Sequence, residues 1–145
     1  MTVQGDIATV LEANAALMAV LTGGVHQMDE VGEISRQNTP GVFDANGELK
    51  PCALIGEGTE VPRGPYDHDG VGTSVGSAVT VYFYEREGYA SIENAMGKVF
   101  TLLARKKVGN GTWRVEYESS IRNQADQALR SSLGLMRFVV VRLRG

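Results

Sequence analysis

The sequence predicts an α+β fold, a mixed and mainly antiparallel sheet with two amphipathic helices packed on one face. Two stretches, residues 6–22 and the one opening at Ser91, carry apolar side chains at three- and four-residue spacing, the period of a helix buried along one stripe. Residues 49–55, 77–85, 112–121 and 136–143 are rich in β-branched and aromatic side chains or alternate in polarity, the signature of strands. The strand runs lie around the helices without regular βαβ alternation. Each amphipathic stripe therefore has a sheet face to bury against.

In chain order, Ile7, Val10, Leu11, Asn14, Leu17, Met18 and Leu21 share a helical face, Gly23-Gly24 stops it, and Asp6 is the expected N-cap. Residues 25–40 are polar, with Asp29, Glu30 and Glu33, and predict an irregular excursion bearing one short strand. Val42-Phe43 and residues 49–55 flank Asp44-Ala45-Asn46-Gly47, whose Asn-Gly tolerates the positive φ of a tight hairpin turn. Residues 56–76 hold repeated Gly and two Pro, and predict a long loop or extended arm. Residues 77–85 read as a central strand. Ser91 then caps a helix on which Ile92, Met96, Val99, Leu102 and Leu103 share a face, with Arg105, Lys106 and Lys107 at its negative end. Gly109-Asn110-Gly111 breaks the chain, and residues 112–121 alternate Trp113, Val115 and Tyr117 with Arg114, Glu116 and Glu118, the pattern of a half-buried strand. A helical turn is expected around Ala125 to Leu129, and a last strand over residues 136–143.

A length of 145 residues predicts one domain over residues 1–145. No apolar run reaches the length of a bilayer crossing, and residues 1–5 lack the basic start of a signal peptide, so a soluble cytosolic origin with no membrane partner is expected. The single Cys52 excludes an internal disulfide and reads as a buried small hydrophobe. Residues 1–60 carry 2 basic and 9 acidic side chains and residues 61–145 carry 12 and 8, giving −7 and +4. Such asymmetry serves either internal pairing or a head-to-tail contact between subunits.

Chemistry has little to build on. The two histidines, His26 and His68, are far apart, and Asp67-His68-Asp69-Gly70 reads as a solvated turn, because neighbouring residues seldom all aim at one ion. Gly70 to Gly76 is glycine-rich but lacks the Gly-Lys-Ser/Thr ending of a phosphate loop. No nucleophile elbow occurs, so no catalytic residue, metal ligand or cofactor is assigned and a non-enzymatic protein is expected. An acidic pI near 5.4 opposes a broad phosphate-binding face, leaving Arg105, Lys106, Lys107, Arg137, Arg142 and Arg144 as a partner surface or solvated rim.

A resemblance adds to this reading. The first helix ending in Gly23-Gly24-Val25-His26, the segment Leu49-Lys50-Pro51-Cys52-Ala53-Leu54-Ile55, Val61-Pro62-Arg63-Gly64-Pro65, the strand Val79-Thr80-Val81-Tyr82-Phe83-Tyr84 and the helix from Ser91 together resemble bacteriophage tail terminator and related neck proteins. The likeness spans nearly the whole chain. It implies a six-subunit ring that caps the tail tube, ends tube polymerisation and joins the tail to the head connector. The implied partners are a second copy of the chain, the tail-tube protein and a head-completion or connector protein, with DNA only as cargo passing through the ring. The implied location is the tail or neck of a virion assembled in the host cytoplasm. Pro62, Arg63, Gly64, Pro65 and Tyr66 form the expected subunit or tube contact, since a long stretch without regular structure is usually functional. A head-completion or stopper protein is the neighbouring alternative. A metal-dependent enzyme using His26, Asp67, His68 and Asp69, and a monomeric binding domain, are the alternatives of other classes.

Overall fold

The structure, a computed structural model, describes residues 2–66 and 72–142; the side chains of residues 58–75 lie outside that description. The first apolar stripe forms two helices, α1 (Val3–Glu12) and α2 (Ala15–Val20), where one was expected. The break falls at Asn14, whose side chain accepts from the Leu17 N–H at 2.8 Å and caps the second helix, competing with continuation of the first. The N-cap of α1 is Thr2, which accepts from the Gly5 N–H at 3.0 Å. Asp6 is instead buried inside the helix. The polar excursion holds the short strand β1 (Val25–Gln27), the single turn α3 (Met28–Val31) and a 3-10 turn at Pro40–Val42. The Asn-Gly turn is present: Gly47 has φ 75°, Asp44 Oδ1 accepts from the Asn46 and Glu48 N–H groups, and Phe43 bridges Leu49.

The remaining elements are β2 (Cys52–Tyr66), β3 (Gly72–Glu85), α4 (Ala90–Leu103), β4 (Lys107–Val108), β5 (Trp113–Asp126) and β6 (Ser131–Arg142). The six strands form one sheet in the order β1-β2-β3-β6-β5-β4, parallel between β1 and β2 and antiparallel elsewhere. β3 is central, as its composition predicts. Residues 56–66 are backbone-paired to β3, so the expected loop is a strand. Its prolines are tolerated because the pairing of β1 with β2 ends at Gln27↔Ile55, leaving this part of β2 with β3 as its neighbour among the described residues, and Pro65 falls in the register shift between Arg63 and Tyr66. The helical turn expected around Ala125 to Leu129 is likewise absent. There β5 runs on to Asp126 and turns, with the Asp126 carboxylate accepting from the Leu129 N–H at 2.8 Å.

Helices α1, α2 and α4 cover one face of the sheet. Ile7, Leu11, Leu17, Ile92, Met96, Val99 and Leu103 pack with Ala53, Ile55, Val81, Phe83, Met136, Phe138 and Val140. Gly134 admits α4 closely, since a Cβ there would stand 2.7 Å from Ile92 Cγ2. The opposite face buries Ile34, Val42 and Leu49 against Cys52, Leu54 and Tyr84. Alternation along β3 thus sends Phe83 to one core and Tyr82 and Tyr84 to the other. Glu85, ending β3, accepts from the Ser91 and Ile92 N–H groups and so supplies the cap of α4 that Ser91 was expected to give. The helix stops at Leu103, and Arg105, with φ 60°, turns the chain into β4, so the three cations lie beyond its last turn.

Candidate functional site

The arm predicted as a contact site is positioned by the sheet. The last pair between β3 and β6 is Gly76 with Val141, whereas β2 and β3 continue through Val61↔Gly76, Pro62↔Val75, Arg63↔Ser74 and Tyr66↔Gly72. Pro62, Arg63, Gly64, Pro65 and Tyr66 therefore lie on a two-stranded ribbon beyond the multi-stranded sheet. Such a ribbon is marginally stable by itself in water and gains from a neighbour.

Of the residues weighed for a metal-dependent site, only His26 lies among the described residues. His26 is half-buried, and its Nε2 lies 2.9 Å from the Gly23 carbonyl oxygen, a local structural contact. Asp67, His68 and Asp69 lie outside the described residues. Among the described residues no three His, Cys, Asp or Glu side chains converge as a metal site. Cys52 is fully buried, as expected, and burial pushes its thiol up to about 12, which leaves it un-ionised and a poor nucleophile at neutral pH.

A second surface was not picked out from the sequence. At the outer edge of β5 the exposed ring of Phe100 meets Tyr117 edge-on with centroids 5.0 Å apart, and Tyr117 meets buried Phe138 at 5.9 Å. Phe100 is 45% exposed and Tyr117 40%, an aromatic pair that solvent wets although it joins the core. Both line an open cleft of about 430 Å³ with Ala104, Arg105, Arg114 and Glu116. Arg114 and Glu116 form an ion pair across 3.0 Å at its rim. The available signal was Phe100 itself, which stands off the stripe of Ile92, Met96, Val99 and Leu103 and had no inward role.

Comparison with known proteins gives a fold. A chain from a solved structure described as "Virion of native gene transfer agent (GTA) particle" superposes with a TM-score of 0.58, covering 99% of this chain and 96% of its own length at 15% identity. No family model matches the sequence. No curated protein matches it either. The two chains share a fold across essentially their full lengths.

Proposed function

We propose that this protein is a non-enzymatic virion component, a tail terminator-like subunit that works as a six-membered ring. The ring caps the tail tube, stops addition of further tube subunits and presents the surface to which the head-completion or connector protein attaches. DNA passes through it as cargo.

The observation that carries the reading is the full-length likeness of fold to a chain of a virion particle, found for a sequence that independently resembles tail terminators. Two further features support it. The β2–β3 ribbon extends beyond the sheet and gains stability from a neighbour. The Phe100–Tyr117 pair leaves apolar surface at an edge, as expected of a subunit completed by association. The role assigned to Pro62, Arg63, Gly64, Pro65 and Tyr66 is contact with the tube or an adjacent subunit.

The test is a tube-growth assay. Tail-tube subunits of the same particle are polymerised with and without the protein, and lengths are read by electron microscopy. The reading expects capped tubes that stop growing. Because the two arm strands pair, the arm is best shortened symmetrically, joining Glu60 to Ser77 through an Asn-Gly turn. That variant should keep its fold and lose capping. Unchanged tube growth in the presence of folded wild-type protein would refute the proposal.

A further inference from the structure

Beside the smaller core, to which Phe43, Leu49 and Leu129 belong, lies an open pocket of about 220 Å³ lined by these three apolar side chains and by Arg36, Arg86 and Arg130. Its cations come from three separate segments: Arg36 from the polar excursion, Arg86 from the turn after β3 and Arg130 from the turn between β5 and β6. Arg36 is one of two basic side chains in residues 1–60. Its guanidinium lies over the Phe43 ring, 4.4 Å from the centroid, and Gly47 makes room for it, since a Cβ there would stand 3.3 Å from Arg36 Nη1. Stacking of this kind fixes the guanidinium plane and leaves its N–H edge for an anion. Arg130 holds φ 52°, a left-handed conformation that a residue with a Cβ seldom adopts. Arg86 is shared between Glu48 at 3.5 Å and Glu87 at 3.9 Å, whereas Arg36 and Arg130 make no ion pair among the described residues. Three cations and three apolar side chains thus meet in one pocket whose lining holds a single carboxylate, Glu48.

The chemical complement of such a pocket is a segment carrying carboxylates beside an aromatic or apolar residue. A phosphate group alone would leave the apolar lining unused. The chain has a matching segment: residues 64–85 contain no Lys or Arg, and Pro65-Tyr66-Asp67-His68-Asp69 sets two acids next to an aromatic residue. Tyr66 pairs with Gly72, and Asp67, His68 and Asp69, outside the described residues, fall in the stretch that joins these two strands at the end of the arm. At the other end of the same ladder Cys52 pairs with Tyr84, and Leu49 and Arg86 of the pocket lie just beyond that pair. The whole length of the β2–β3 ladder therefore separates acids from arginines within one copy, and the acids reach the pocket of a second copy instead. Such a contact joins two different surfaces and is heterologous, the kind that closes into a ring. It also gives the two-stranded arm the neighbour that its marginal stability calls for.

We infer that the acidic end of the arm, with Asp67 and Asp69, docks in the Arg36–Arg86–Arg130 pocket of the next copy. The inference rests on the ring reading above, and wild-type protein separates the two. Three variants are made: Arg36→Glu/Arg130→Glu, which leaves Arg86 with Glu48; Asp67→Arg/Asp69→Arg; and a chain carrying all four changes. Each is checked for fold by circular dichroism and for mass by light scattering after size exclusion, with tail tubes added where wild type needs them. Either pair of changes alone puts like charges on arm and pocket and should raise the dissociation constant of the ring by at least about tenfold. The chain with all four changes restores opposite charges and should recover the ring, as should an equimolar mixture of the two reversed variants. A merely structural role of Arg36 over Phe43 would not be rescued in this way. Wild-type association by either reversed variant alone, or no recovery from folded chains with all four changes, would overturn the contact while leaving a wild-type ring intact. Rings of normal strength that have lost only attachment to the head connector, or only retention of DNA, would overturn it too, by giving the pocket to that partner. Absence of a ring from wild type, with and without tubes, would overturn both readings.

Discussion

The Trp113 indole N–H donates to Asp6 Oδ2 at 2.9 Å, tying the first helix to the start of β5. Asp6 is only 7% exposed, and its carboxylate is held in a pocket that Gly109, at φ 64°, leaves open. A Cβ at Gly109 would stand 2.5 Å from Asp6 Oδ2 and 3.0 Å from Trp113 Cδ1. Gly109→Ala should displace this contact, and Trp113→Phe should leave the carboxylate without its indole partner. Each is expected to cost about 1–3 kcal/mol in urea unfolding. Wild-type stability in both variants would show that the contact contributes nothing.

Ser131 Oγ is buried with no hydrogen-bond partner among the described residues. A buried hydroxyl without a partner is unfavourable, so Ser131→Ala should leave stability unchanged or raise it by up to about 1 kcal/mol. A clear fall in melting temperature would mean that the hydroxyl is bonded after all.

At Gly134, the close approach of Ile92 Cγ2 and Met96 Sδ leaves no room for a methyl group. Gly134→Ala should push α4 off the sheet at a cost of about 1–3 kcal/mol, while Gly97→Ala, with open space around it, should be neutral or stabilising. Equal effects at the two glycines in thermal unfolding would contradict the packing described.

The buried thiol makes stability depend on pH. Burial raises the folded-state value of Cys52 to about 12, against roughly 8.5 in an unfolded chain. A group raised on folding contributes stability that is complete below the unfolded value and lost as pH climbs toward the folded one. Between about pH 8.5 and 10, wild type should therefore lose stability more steeply than Cys52→Ala, by up to about 1.4 kcal/mol per pH unit. Parallel pH profiles would contradict it. Tyr84 is raised in the same direction, chiefly by burial, and adds to the loss at higher pH.

How much of this was legible follows from what each residue reports. Residues 77–85 announce a central strand because both faces are buried, Phe83 in one core and Tyr82 and Tyr84 in the other. The alternation ending at Ile121 marks only the half-buried part of β5. Arg122, Asn123 and Gln124 continue the strand where both sides are wet, so apolar periodicity vanishes while the ladder does not. Pro62 and Pro65 read as breakers because sequence does not reveal that the pairing of β1 with β2 stops at Gln27↔Ile55 and frees that edge. The cleft was hidden for a similar reason: Phe100 is off-stripe, but its meeting with Tyr117 depends on where α4 lies across the sheet.

Ring formation is the physical claim on which the proposed role depends, and native mass spectrometry of the wild-type protein tests it most directly, alone and with a tail-tube fraction. The account predicts a six-subunit species, either in free solution or on contact with tubes. A strict monomer under both conditions would contradict it.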